Sequence, residues 1–503
     1  MSISRKLLAL AVAAAAGPVA TPALRAADSK PNILFIFADD QCYETIHALG
    51  NDEIETPNLD RLARRGTAFT HAYNMGSWSG AVCVASRHML NTGAFVWKAE
   101  QISKNLGGKK NAKGKDGGAG TNPWPNFQEK GWMWSQLMAA AGYDTYFTGK
   151  WHVNAPADEV FKVARNIRGG MPKQTPEGYN RPIDGQPDPW SPYDPKFGGF
   201  WEGGRHWSEV VADDAEDYLA MAKKSANPFF MYIAFNAAHD PRQSPKEYVD
   251  KYPLEKVSLP VNFLPEYPWK DQIDNRKTLR DEALAPFPRT ERAVKVNRQE
   301  YHAIITHMDA QIGRILDALD STGQADNTWI FFTADHGLAC GHHGLMGKQN
   351  LFDHSIRVPY LVAGPGVAAD AKNDSPIYLQ DTMATALDLA GAEKPAHVQF
   401  RSIRPMLAGE PGGYEAVYGG YLKSQRCVVR DGHKLLLYPN VPKALLFDLA
   451  ADPHEMRDLL EKKGDPEALA RASELFADFL KLRADTGDTL ELTAEMFPEL
   501  AGK

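Results

Sequence analysis

The sequence predicts an α/β fold: a large central, mostly parallel sheet sandwiched by helices, plus a smaller C-terminal α+β subdomain with an antiparallel sheet. Three observations predict it. Short, largely apolar runs recur at residues 32–37, 229–235 and 328–333, as expected of strands covered on both faces, and a further strand is expected at 144–148. Helical patterns alternate with them, which argues for parallel strands joined by helical crossovers. From about residue 414 the texture changes to closely spaced short strand-like pieces and one terminal helix.

The elements follow in order. Residues 32–37 are apolar and end in Ala38-Asp39-Asp40. Thr56-Pro57 opens a helix, with Thr56 at the N-cap and Pro57 in the first helical position; Leu59 and Leu62 face inward and Gly66 ends it. Residues 81–92 read as a turn entering a helix that Gly93 terminates. Helices near 134–141 and 208–223 precede the strands at 144–148 and 229–235. The helix at 298–320 places Tyr301, Ile304, Ile305, Met308, Ile312, Ile315 and Leu319 at helical spacing. Three irregular stretches interrupt the alternation, at 103–126, 153–204 and 240–290; long ordered loops in a compact α/β protein usually build binding surface, with a disordered excursion the equal alternative for 103–126. Strands at 416–421, 427–430, 434–437 and 444–448 then lead into a helix at 466–482. The expected division is a leader at 1–27, an α/β domain at 28–413 and a C-terminal subdomain at 414–503.

Composition narrows the class. The 503 residues are 43% hydrophobic and carry a formal charge of −7, without the basic footprint of a nucleic-acid partner. Residues 1–27 read as a signal peptide. Arg5 and Lys6 form a positive n-region, residues 7–16 an apolar core too short to span a bilayer, and Ala23, Ala26 and Ala27 a small-residue cleavage site. Its removal takes away Arg5, Lys6 and Arg25 and no acid, leaving −10. No later segment reads as a membrane span, so the mature chain is expected to be exported, to the periplasm or beyond. Export permits disulfides, yet Cys42, Cys83, Cys340 and Cys427 follow no scaffold spacing, so the core holds the fold.

In open α/β sheets, sites form at the carboxyl ends of strands. Asp39 and Asp40 end one strand, and Asp335 and His336 another. Adjacent carboxylates at buried strand ends repel one another unless a cation is present, and carboxylate oxygens suit a hard ion such as Ca2+ or Mg2+. Cys83 stands where the chain enters a helix, a place that favours an anion, and Arg87 lies one turn on, on the same face. Gly149-Lys150-Trp151-His152, Ala238-His239-Asp240-Pro241 and Gly347-Lys348 add polar clusters, the first two directly after strands.

Together these residues resemble the type I, formylglycine-dependent sulfatases of the alkaline-phosphatase-like superfamily. The resemblance runs from Pro31 to about Asp458. Its centre is Cys83-x-Ala85-x-Arg87 with Leu90 and Thr92-Gly93, similar to the family's maturation signature; the commoner form has proline where this chain has Ala85. Leu446-Phe447-Asp448-Leu449 with Asp452-Pro453 looks like the family's closing subdomain. The resemblance implies that a maturation enzyme oxidises Cys83 to formylglycine. It implies that Asp39, Asp40, Asp335 and His336 hold Ca2+ (Mg2+ being the alternative) with residue 83 and a sulfate oxygen. Many relatives have asparagine where this chain has His336. Arg87 and Lys150 would orient the formylglycine hydrate and His152 would be the base. His239 and Lys348 would contact the sulfate and the leaving oxygen. The expected reaction is sulfate-ester hydrolysis, with a sulfated carbohydrate as substrate; Trp78, Arg205, His206 and Arg242 are the candidate sugar or second-sulfate contacts. The alternatives are a phosphodiesterase or phosphonate monoester hydrolase of the same superfamily, or an inactive secreted glycan-binding protein.

Overall fold

The computed structural model describes residues 30–107 and 122–501; the leader at 1–27 and most of the stretch at 103–126 lie outside the described residues. Eight strands build the main sheet: β1 (Asn32–Ala38), β2 (Thr67–Phe69), β3 (Asp144–Lys150), β4 (Val163–Arg168), β5 (Phe229–Ala234), β6 (Thr328–Ala334), β7 (Tyr360–Ala363) and β8 (Ala371–Asn373). Their spatial order is β8-β2-β7-β6-β1-β5-β3-β4. β4, β3, β5, β1 and β6 run parallel, and β7 pairs antiparallel with β6 and β2. Each of β1, β3, β5 and β6 is buried at every position; in β1, β5 and β6 this is why the strand reads as an apolar run rather than an alternation, whereas β3 is Asp-Thr-Tyr-Phe-Thr-Gly-Lys.

Two groups of helices cover the sheet. The helices α1 (Pro57–Arg65), α4 (Trp207–Ala222) and α5 (Glu291–Thr322) pack on one another, and α4 lies on β3 and β5. The helices α2 (Val82–Thr92), α3 (Trp134–Ala140) and α6 (Asp381–Leu389) form the second group, with α3 also against β3. Side-chain alternation assigns the faces. Tyr146 meets Tyr218 of α4, whereas the next residue, Phe147, meets Tyr232, which also contacts Trp134 of α3. Successive residues of a strand point to opposite faces, so α3 and α4 cover opposite sides.

Three local details differ from the sequence expectation. Thr56 occupies the N-cap of α1 without capping it through its side chain; its hydroxyl donates to Asp60 at 3.0 Å instead. The long helix begins at Glu291, about two turns ahead of the expected start, where Thr290 Oγ1 accepts from Ala293 N–H at 3.2 Å, and Ala293, Val294 and Val296 of those added turns are buried. The stretch at 153–204 contains β4, a half-exposed edge strand of sequence VARNIR with no apolar run to reveal it.

The C-terminal strands β9 (Val417–Tyr421), β10 (Gln425–Arg430), β11 (His433–Tyr438) and β12 (Lys443–Asp448) form an antiparallel sheet in the order β12-β11-β10-β9. The helix α7 (Pro466–Thr486) packs on β10 and β11. The two-residue strand Gly76–Ser77, just before α2, pairs parallel with β9 and completes the sheet. The segment carrying Cys83 is thereby fastened to the C-terminal sheet. All four cysteines are buried and free. Among the described residues no helix is long and apolar enough to cross a membrane.

Gly149 deserves its glycine for two reasons. Its φ is +96°, and a Cβ there would lie 1.8 Å from the carbonyl oxygen of Ala234. The β3–β4 register shifts between Thr148 and Gly149, and this bulge delivers Lys150 to the sheet end. Gly142 has a similar φ of +93° but open space around it. Gly142→Ala should therefore cost only the backbone term, roughly 1–2 kcal/mol. Gly149→Ala should cost about 3 kcal/mol or more. Denaturant melts of the two variants check this, and equal losses would remove the steric argument.

Candidate active site

β1, β3, β5 and β6 are parallel neighbours, so their carboxyl ends meet at one edge of the sheet. β1 runs directly into Asp39 and Asp40, and β6 into Asp335 and His336. Asp40 sits at φ 60° and His152, just after β3, at φ 53°; left-handed backbone at non-glycine residues concentrates at functional sites. The turn at Asp40 is pinned on both sides. Its N–H donates to Asp335 Oδ1 at 3.2 Å, and its carbonyl accepts from the Tyr301 hydroxyl at 2.6 Å. Asn74 Nδ2 fixes the Asp335 carbonyl at 2.6 Å.

Cys83, in the first turn of α2, faces this edge. Ligand atoms of Asp39, Asp40, Cys83, Asp335 and His336 all lie within 4.8 Å of one another, and all five residues are buried. Burial first, then the charges of Asp335 and Cys83, push the Asp39 carboxyl up to about 6, a measure of how poorly this crowd tolerates its own charge. Asp39 Oδ1 is buried without a hydrogen-bond partner. His336 Nδ1 donates to the Gly337 carbonyl at 2.8 Å, which turns Nε2 toward Cys83 Sγ at 3.2 Å and Asp40 Oδ1 at 3.1 Å. Three carboxylates, one imidazole nitrogen and residue 83 around a common point, with one carboxylate oxygen accepting no hydrogen bond, fit a hard divalent cation.

Cations close the other side. Arg87 Nε donates to Asp335 Oδ2 at 3.0 Å and its Nη1 to the Lys150 carbonyl at 2.8 Å. Lys150 pairs with Asp39, and Lys348 Nζ donates to both oxygens of Asp40 at 2.8 and 2.7 Å. Burial pushes the Cys83 thiol up, but Lys150, Lys348, His336 and a hydrogen bond to His152 outweigh it and hold it well below the ordinary thiol range. The side chain of residue 83 thus stands where the protein stabilises negative charge. His239 Nε2 lies 3.8 Å from Asp40 Oδ2 and its Nδ1 3.1 Å from Asp240 Oδ1. Burial lowers its pKa, yet Asp40 and Asp240 raise it to about 10, so it is protonated at neutral pH. His152 is half-buried, with its ring against Gly170 and Nδ1 unpartnered.

The structure therefore brings together Asp39, Asp40, Cys83, Arg87, Lys150, His152, His239, Asp335, His336 and Lys348. The four sugar-contact candidates lie otherwise. Trp78 is half-buried, edge-on to His88 of α2 with ring centroids 6.0 Å apart. Arg205 is half-exposed and pairs with Asp213 and Glu209 on α4. His206 is buried as the N-cap of α4, accepting from Ser208 N–H at 3.1 Å and bonded to the Gln243 carbonyl at 2.8 Å. Arg242 is buried and donates to Asn297 at 2.8 Å. Arg280 and Asp281, which pair with Asp240, Lys348 and each other, were not legible in the sequence. They sit in the Pro-rich stretch at 240–290, where no periodicity marks a residue as inward-facing.

The chain is similar to known proteins along most of its length. A family model described as "Sulfatase" matches residues 31–392, and one described as "N-sulphoglucosamine sulphohydrolase, C-terminal" matches 341–482. The arylsulfatase of Clostridium perfringens is 28% identical, covering 86% of this chain and 91% of its own. The N-acetylglucosamine-6-O-sulfatase of Bacteroides thetaiotaomicron is 24% identical, covering 91% and 86%. Among solved structures, the phosphonate monoester hydrolase from Silicibacter pomeroyi superposes with a TM-score of 0.68 at 20% identity, over 92% of this chain and 98% of its own, a likeness of fold. With its family match spanning most of the chain and the strand-end cluster in place, this protein belongs to the sulfatase family of sulfuric ester hydrolases.

Proposed function

We propose that the chain is an exported sulfatase acting on a sulfated carbohydrate, with Cys83 converted to formylglycine and Ca2+ held by Asp39, Asp40, Asp335, His336 and residue 83. The observation that carries this reading is the position of Cys83, between three buried carboxylates and the cations Lys150, Lys348 and Arg87. A thiol has no evident use there, whereas an oxygen nucleophile beside an anionic ester does. The name of the Bacteroides relative, a sulfatase of a 6-sulfated amino sugar, supports the carbohydrate class, and the leader-like residues 1–27 support export.

Formylglycine, hydrated, supplies two hydroxyls, one to attack sulfur and one whose deprotonation expels the sulfate. Asp39, Asp40, Asp335, His336 and residue 83 would hold a divalent ion, which would supply Lewis acidity toward the sulfate. The remaining work falls to this chain's side chains. Arg87, fixed by Asp335 and the Lys150 carbonyl, orients residue 83. Lys150 and Lys348 offset the ester's negative charge so that an electron-rich nucleophile can approach. His239, kept protonated beside Asp40 and Asp240, donates a proton to the departing alcohol oxygen, and His152 removes the proton from the second hydroxyl of residue 83. Residues 414–503 act as the closing subdomain, fastened to the Cys83 segment through Gly76–Ser77.

Three measurements test this reading. Enzyme produced with a maturation system should show the Cys83 peptide lightened by conversion of its CH2SH group to an aldehyde, and should release inorganic sulfate from at least one of a panel of sulfated saccharides, choline sulfate and an aryl sulfate. Cys83→Ala should lose on the order of 10³-fold or more of that activity. Hydrolysis of phosphate or phosphonate esters alone by the converted enzyme would move the chain to the phosphodiesterase or phosphonate hydrolase reading.

His239→Ala should slow alkyl and sugar sulfates far more than a nitrophenyl sulfate, whose leaving group needs no proton. Equal losses across that series would remove the acid role.

Metal binding should respond to pH through His336. Burial lowers its pKa, but Asp335, Cys83 and Asp40 raise it to about 9 against an ordinary 6.5. The ion-free protein is thus stabilised by the imidazolium below about pH 6.5 and loses that stability as pH rises through about 9. A metal requires the neutral ring, so calorimetric Ca2+ affinity should increase between pH 6 and 9, by at most about tenfold per unit. Chelation at neutral pH should abolish activity and lower the melting temperature, with saturating ion restoring about 2.7 kcal/mol at 100 times its Kd.

A further inference from the structure

Six charged side chains close a ring beside residue 83. Asp40 holds Lys348, whose Nζ is 3.7 Å from Asp281 Oδ2. Asp281 pairs with Arg280, and Arg280 pairs in turn with Asp240. Asp240 Oδ1 is 3.1 Å from His239 Nδ1, and His239 Nε2 is 3.8 Å from Asp40 Oδ2, which closes the circle. Three carboxylates and three nitrogen groups alternate all the way round. Five of the six side chains are at most 4% exposed, while Arg280 is 35% exposed and is the ring's contact with solvent. Gln349 braces the arrangement, with Nε2 donating to Asp281 Oδ2 at 2.6 Å and to the Gly80 carbonyl at 2.9 Å.

The two outer carboxylates pose a problem that Arg280 resolves. Asp240 and Asp281 are buried, and a buried carboxylate takes whatever cation is within reach. The nearest others are His239 and Lys348. If Asp240 and Asp281 drew on those two fully, both would turn from Asp40 toward the outer acids. A single guanidinium shared between the two carboxylates satisfies them from outside. His239 and Lys348 are then held under balanced attraction, each between an outer acid and Asp40. A fork of several donors can serve two carboxylates at once, which an ammonium does less well.

We propose that Arg280, acting through Asp240 and Asp281, is a positioning residue that keeps His239 and Lys348 aimed at the leaving oxygen. The inference rests on the reading of those two groups as the leaving-group side. A displacement of about 1 Å in such groups is enough to cost about 10²-fold in rate, and the cost falls on substrates whose departure needs the proton.

The test uses the full-length, matured enzyme and the variants Arg280→Gln and Arg280→Lys. Each is assayed on sulfate esters graded in leaving-group acidity, from alkyl alcohols to nitrophenol, and each is crystallised. Arg280→Gln should lower kcat on alkyl sulfates by about 10- to 100-fold and on nitrophenyl sulfate by less than about 3-fold. Arg280→Lys should recover part of the loss. In crystals of Arg280→Gln, Lys348 or His239 should shift toward Asp281 or Asp240, away from Asp40. A uniform loss across the series, or a ring that keeps its geometry without Arg280, would overturn the proposal. The crystal arm is independent of turnover: a shifted ring in an enzyme inert to every sulfate ester would uphold the positioning role and overturn the sulfatase reading instead.

Discussion

Three carboxylates crowded at the ends of two adjacent parallel strands are the constraint from which the rest of the site follows. Asp39, Asp40 and Asp335 are all buried, and their mutual repulsion in a medium that screens poorly has to be met by positive charge. The fold supplies it from four directions. Lys150 arrives at the end of β3, Arg87 from α2, Lys348 from the loop after β6, and His239 from the loop after β5. Each is at most 4% exposed, so the pairing is not softened by water. The same cations that make the acids tolerable are those a sulfuric ester hydrolase requires around an anionic ester, which ties the stability of the site to its chemistry.

The acid cluster also explains why so much of the chain is spent on bracing. Tyr301 of α5 bonds the Asp40 carbonyl and the Cys42 N–H at 2.6 and 2.8 Å, so the longest helix fixes the first strand end. The segment that follows Lys348 is held from the other side. Lys434, buried in β11, reaches Asp353 and donates to the Leu351 carbonyl at 3.2 Å, with Glu455 at 2.7 Å. The C-terminal sheet is thus more than an appended unit. It grips the strand before α2 and the loop after Lys348, the two segments that carry residue 83 and its lysine partner.

What the sequence disclosed follows a physical rule. β1, β5 and β6 were legible because burial on both faces leaves mainly apolar residues, β3 because it follows a helical pattern, and Asp39, Lys150, His239 and Asp335 were legible because they stand at or just beyond strand ends. Cys83 and Arg87 were legible because a helix start and a one-turn spacing place them together. β4 was not, since a half-exposed edge strand carries no continuous apolar signal. Arg280 and Asp281 were not either: they lie in a stretch of turns where inward and outward positions have no period, and only tertiary contact shows them beside Asp240 and Lys348. His206 shows the reverse. As a histidine near tryptophans it suggested ligand contact, but its ring nitrogen caps α4, a role set by one backbone N–H that composition cannot display.

The charge balance of the finished site carries one further step. Asp39, Asp40, Asp240, Asp281 and Asp335 face Arg87, Lys150, Arg280, Lys348 and the protonated His239, five against five. His336 and Cys83, 3.2 Å apart, balance each other. Without an ion the buried set is neutral, which is how it can exist at the end of a hydrophobic sheet. A divalent cation in the carboxylate cluster would add positive charge there, less the proton that His336 gives up. An uncompensated charge there is costly, and an anionic group of a substrate removes part of that cost by binding. The protein thus folds around its acids with its own lysines and arginines, and on the proposed reading an ion would free those cations to face an anionic ester.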